Sequence, residues 1–315
     1  MAHKKLLYFV LSALVIIPVV VFALSRFHKL EKEAVLFPIE KIIGADKKTL
    51  SNDLELIAKN HLFAEDEKYG IVIKNLKNGE SYTYNGNGKF DSASLYKLWV
   101  LAVAFQKIKD GTLSEDEILS APLENLDNTL STTPTPTTIP EGQITQVPLP
   151  EPTEVKMISM RTGEAIEKMI TISDNYSALL VSSKSGVLSI TKFLKDYGLI
   201  NSNYKQPPQT TANDIAIFYE KLYEGNIIDK ESSSKMIEIL KRQTLNDRIP
   251  KYLPEDVEIA HKTGELFNSK HDAGIVYSEN GDYIIVVFSE TKNPSKAAEK
   301  IAIFSKEVYD YFQNI

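Results

Sequence analysis

Phe90-Asp91-Ser92-Ala93-Ser94-Leu95-Tyr96-Lys97 opens the most apolar stretch of the domain, which runs on through Leu98, Trp99, Val100, Leu101, Ala102, Val103 and Phe105 to Ile108 and stops at Asp110-Gly111. The pattern predicts a helix over Leu95 to Ile108 that is buried nearly all round. Ser94 falls at its start. Lys97 comes three residues later on the same face, within the first turn. Burial there lowers a lysine's pKa, and a neutral amine within reach of a serine hydroxyl removes its proton. Ser94 and Lys97 are therefore the candidate nucleophile and base.

The Ser-x-x-Lys spacing recurs at Ser189/Lys192, Ser202/Lys205 and Ser232/Lys235, about what chance gives, so it needs company. Ser173-Asp174-Asn175 follows a helical pattern ending at Ile172. Lys262-Thr263-Gly264 ends the strand-like Val257 to His261. On this ordered triplet the chain resembles the class A β-lactamases and penicillin-binding proteins. The resemblance covers about residues 50–315 apart from a Thr/Pro-rich segment, and takes in Thr210-Thr211, the Lys235 to Arg242 helix, and the final strands and helix.

The resemblance implies that a β-lactam or a peptidoglycan stem peptide acylates Ser94, with Lys97 as base. Ser173 would pass a proton between Lys97 and the leaving nitrogen, and Asn175 would meet the substrate amide or orient Lys97. Asp174 would be structural. Lys262 and the Thr263 hydroxyl would hold the substrate carboxylate, Gly264 would let the backbone lie along the strand, and the N–H groups of Ser94 and Glu265 would form the oxyanion hole. No cofactor or metal is implied. Class A enzymes also carry a glutamate between the second motif and the Thr-Thr pair that activates the deacylating water. Here that interval is short. From Ser173 to Tyr219 its only acids before Glu220 are Asp174, Asp196 and Asp214, the last fitting a capping box with Thr211. Three readings stay open: a slow β-lactamase, a D-Ala-D-Ala carboxypeptidase or transpeptidase, and a non-catalytic module that binds β-lactams or peptidoglycan.

Outward from these motifs, two Asn-Gly pairs predict hairpins with type I′ turns. One joins Ile71-Val72-Ile73 to Tyr82-Thr83-Tyr84 around Asn78-Gly79, the other Ala273–Ser278 to Tyr283–Ser289 around Asn280-Gly281. Helical patterns fill the interval at Thr162–Ile172, Asp214–Tyr223 and Ser233–Leu240, and a last helix at Pro294–Phe312 stripes Ala297, Ile301, Phe304, Val308 and Tyr311 along one face. The expected fold is α+β of the β-lactamase/transpeptidase type, with about five antiparallel strands backed by terminal helices and an inserted all-α subdomain. Residues 128–155, rich in Thr and Pro without apolar period, predict a mobile loop. His261 and His271 flank the third motif with no ligand set at metal spacing, and Trp99 reads as core.

Residues 1–25 form a membrane anchor or a signal segment. Lys4 and Lys5 precede an uncharged stretch from Leu6 to Leu24, and Val21-Phe22-Ala23 offers a cleavage pattern. A polar stalk over 26–49, broken by Pro38, would lead to the domain at 50–315, placed outside the cytoplasm on functional grounds. The net charge of −6 leaves no basic footprint for nucleic acid, the lack of cysteine excludes disulfides and thiolate chemistry, and a monomer is expected.

Overall fold

Helix α1 (Asn52–His61) starts where Ser51 accepts the Leu54 N–H, and it buries Leu54 and Ala58. The structure, a computed structural model, describes residues 51–63, 67–130 and 155–314. The expected membrane segment, the stalk and the Thr132 to Pro152 stretch lie outside the described residues. Among the described residues no helix is long and apolar enough to cross a membrane.

Strands β1 (Lys68–Asn75) and β2 (Ser81–Tyr84) pair in the predicted register, Ile71 opposite Tyr84 and Ile73 opposite Tyr82. Their turn is not type I′, because Gly79 alone of its pair has positive φ, +76°. The Asn75 side chain instead accepts the N–H groups of Lys77 and Asn78, so one left-handed residue suffices. The Asn280-Gly281 turn departs likewise: Gly281 has φ +136°, and the Asp282 carboxylate takes the Ser278 N–H.

After β3 (Phe90–Asp91) the chain makes a 3-10 turn over Ala93–Tyr96 before helix α2 (Lys97–Lys109), where a single helix over Leu95 to Ile108 was expected. Ala93 sits at φ +44°, a left-handed conformation that turns the chain between the two. From Lys97 to Phe105 every residue of α2 is buried. Next come β4 (Ile118–Pro122), helix α3 (Leu123–Leu130), β5 (Met157–Arg161) paired with β4, and helices α4 (Thr162–Thr171), α5 (Asn175–Ser185) and α6 (Val187–Asp196). Residues 128–130, expected to begin the mobile loop, thus close a helix. The short β6 (Gln209–Thr210) pairs with β3, and α7 (Ala212–Tyr223) and α8 (Lys230–Lys241) complete the insert.

Strands β7 (Ile259–Leu266), β8 (Ser269–Val276) and β9 (Tyr283–Glu290) and helix α9 (Pro294–Gln313) end the domain. The sheet has five antiparallel strands in the order β2-β1-β9-β8-β7. Central β9 explains its own apolar sequence, since alternate residues serve two cores. Ile284, Val286 and Phe288 join the insert's core with Trp99 and Phe218, while Tyr283, Ile285 and Val287 pack with α1 and α9 through Leu54, Phe304 and Phe312. Lys262-Thr263-Gly264 does not end a strand as expected. It lies inside β7, because β8 offers it partners as far as Ser269.

Candidate active site

Ser94 sits on the 3-10 turn that precedes α2. The turn that carries it is held from below by β7: a Cβ built on Gly264 would lie 3.2 Å from both Leu95 Cγ and the Ser92 carbonyl, and 3.3 Å from Ala93 Cβ. Glycine here permits the strand's close approach to the nucleophile turn. From the other side Ser92 N–H donates to the Pro208 carbonyl at 2.8 Å. Ser92 itself is buried, and Ser94 half-buried.

Lys97, on the first residue of α2, is fully buried. Its Nζ donates to the Ser173 carbonyl at 2.7 Å, to Ser173 Oγ at 3.2 Å and to Asn175 Oδ1 at 2.9 Å. Lys262 on β7, also fully buried, donates to the same Ser173 Oγ at 2.9 Å and to the Thr263 carbonyl at 3.0 Å. One hydroxyl therefore bridges two lysines. Burial lowers the Lys97 pKa to about 8 against an opposing pull from Asp174. Burial, reinforced by the nearby Lys97 charge, holds Lys262 well below its usual value. Ser173 stands at φ +56°, a conformation that costs a non-glycine residue of order 1–3 kcal/mol and persists where surroundings over-determine it. The two lysine contacts and the Asp174 cap on Ser177 N–H supply that determination.

None of the three acids noted in the sequence is turned to this cluster. Asp174 caps α5, and Asp196 pairs with Lys192. Asp214 is buried, takes the Asn201 N–H at 2.9 Å and Ser202 Oγ–H at 2.7 Å, and has its own N–H capped by Thr211. The Thr211 cap was legible; the tie from Asp214 back to Asn201 was not. Asn203 and Gln209 exchange backbone hydrogen bonds at 2.9 and 3.1 Å, closing a loop over Tyr204, Lys205, Gln206, Pro207 and Pro208 that holds no carboxylate.

The histidines are structural. His271 Nε2–H donates to the Asp91 carbonyl while Nδ1 accepts the Ser289 N–H, which fixes a neutral ring whose pKa burial lowers to about 4. His261 meets the buried Asp272 at 2.9 Å. Sequence reasoning missed Arg248, buried to 2% exposure, which donates to the His271 carbonyl at 2.8 Å and reaches Glu265 at 3.1 Å. No periodicity marks it; only the fold brings residues 248 and 265 together.

The model of the beta-lactamase enzyme family matches residues 50–312. The chain belongs to that family. Among its relatives, beta-lactamase BRO-1 of Moraxella catarrhalis is 30% identical over 182 residues, spanning 50% of this chain and 57% of that enzyme. Beta-lactamase VEB-1 of Pseudomonas aeruginosa is 24% identical over 84% of this chain and 92% of its own length. The solved structure of PBP-A overlays with a TM-score of 0.71 at 23% identity, covering 85% of this chain and 98% of that one. A PBP-A variant solved as an acyl-enzyme complex with penicillin G gives 0.70 at 24% identity, over 84% and 98%. These structures share the β-lactamase/transpeptidase fold with this beta-lactamase family member.

Proposed function

We propose that this family member is an active-site serine hydrolase, outside the cytoplasmic membrane, that β-lactams acylate at Ser94 and release slowly. The observation that carries the reading is the Lys97–Ser173–Lys262 cluster set against the Ser94 turn. The three acceptors around Lys97 suit its ammonium form, and a pKa of about 8 leaves roughly a tenth neutral at pH 7, a cost of about 1.4 kcal/mol. The neutral amine takes the Ser94 proton as Oγ adds to the β-lactam carbonyl. The Ser94 and Glu265 amides meet the developing oxyanion. When the C–N bond breaks, Ser173 gives its proton to the nitrogen and is reprotonated from the lysine pair. Asn175 keeps Lys97 in place, and Lys262 and Thr263 hold the substrate carboxylate.

Release of the ester needs a base, and the loop from Tyr204 to Pro208 supplies no carboxylate. That observation favours a second reading of the same site, a D-Ala-D-Ala carboxypeptidase or transpeptidase for which the β-lactam is a trap. General-base assistance is worth about 10²–10⁴ in rate. Intact-protein mass spectrometry with benzylpenicillin should show about one equivalent bound, with the adduct surviving for minutes. Rapid multiple turnover without a detectable adduct would overturn slow release; no adduct and no turnover would overturn acylation.

A further inference from the structure

The β7–β8 hairpin carries an ion cluster for which the proposed chemistry has no use. Glu265 pairs with Lys270 and lies 3.1 Å from the buried Arg248 guanidinium, while Asp247 meets Arg248 Nε at 3.1 Å and Lys270 at 3.9 Å. Two cations and two anions thus neutralise one another at the end of the third motif. Along β7, Thr263 and Glu265 are alternate residues and so share a face, with Cα atoms about 7 Å apart. Lys262 and Gly264 point the other way, toward Ser173 and the nucleophile turn. Arg248 is near enough to Lys262 for its charge to be felt there. A carboxylate bound to the Thr263 hydroxyl would therefore lie beside a guanidinium that Glu265 already occupies. Burial opposes ionisation of Glu265, but Lys270 and Arg248 outweigh it and hold its pKa below the usual carboxylate range. Glu265 is 58% exposed, so it is free to swing out when displaced.

We infer that Glu265 is a specificity-determining residue: its carboxylate keeps Arg248 and Lys270 engaged, and a ligand carboxylate at Thr263 gains Arg248 only by displacing it. The inference rests on the proposed role of Lys262 and Thr263 in holding a carboxylate. It implies that this site discriminates less sharply between acid and neutral ligands than its count of cations suggests.

The test uses the Ser94→Ala protein, which binds without reacting, and NMR titration with N-acetyl-D-alanyl-D-alanine and its C-terminal amide. Adding Glu265→Gln should raise the acid-to-amide affinity ratio about two- to fivefold, the range for an exposed ion pair competing with a ligand. High salt should shrink the gain. Glu265→Asp, which keeps the charge but shortens its reach, should shift the ratio less and in the same direction, and melting curves report whether each variant folds. An unchanged or lowered ratio, or no binding by either protein, overturns the inference. A failure of unsubstituted protein to form a penicillin adduct would instead overturn acylation and leave this ratio standing as its own result.

Discussion

The two sides of Ser94 are built to different standards. On one side, two buried lysines from α2 and β7 share a hydroxyl held at a costly backbone angle, so three elements fix one cluster. On the other, the short loop from Tyr204 to Pro208 is held by backbone hydrogen bonds at its ends and to Ser92 and by Tyr204 packed near Tyr96, and Lys205 is its only charged residue. In the proposed mechanism, attack on a carbonyl and hydrolysis of the resulting ester draw on different elements, so one can stay intact while the other is stripped down. On the proposed function, acylation and turnover should therefore be separable by mutation.

The largest effect should come from the nucleophile. Ser94→Ala is expected to abolish labelling by a fluorescent penicillin, a fall of more than about 10³-fold. Ser92→Ala should retain most labelling, because the Ser92 hydroxyl only reaches the neighbouring Ala93 carbonyl. Equal labelling of the Ser94 variant would erase the distinction between the two sides.

A smaller change would sharpen the contrast from the loop side. Gln206→Glu places a carboxylate of matching size in the loop and should speed adduct release about 10- to 100-fold, with little change in acylation. The decay of the adduct mass after excess penicillin is removed provides the measure; equal acceleration of both steps would mean that the loop acts on Lys97 rather than on water.

The mildest probe is pH. In the proposed mechanism Lys97 acts as base when neutral, and burial lowers its pKa to about 8, so the acylation rate should climb about tenfold per unit below pH 8 and level off above it. Stopped-flow acylation across this range gives the profile. A plateau already reached near pH 6 would assign the base elsewhere.

Much of this was legible because the signals were local. The apolar run after Ser94, the apolar segments of β1 and β9 beside their Asn-Gly pairs and the stripe on α9 each report a pattern that a local element enforces. The 3-10 turn before α2 escaped, since the left-handed Ala93 is imposed by β7 on one side and the Pro208 carbonyl on the other. Both type I′ turns failed because Asn75 and Asp282 side chains rewired the corners. The bridging of Lys97 and Lys262 by Ser173 was only half legible: the motifs named the residues, but contact between positions 173 and 262 exists only once the insert folds back on the sheet. Arg248 gave no signal at all, because apart from the adjacent Asp247 its partners lie on a hairpin downstream.

Strand β7 closes the sheet order, so its outer rim has no strand neighbour. Such a rim is a template for any extended chain and ordinarily a route to aggregation. Here the Ser92–Leu95 turn is pressed against it at Gly264 and covers part of its length. That contact blocks a long extended chain from adding to the rim as a sixth strand. The same crowding that holds the Ser94 turn thus sets an upper limit on how much backbone any partner chain can lay down beside it.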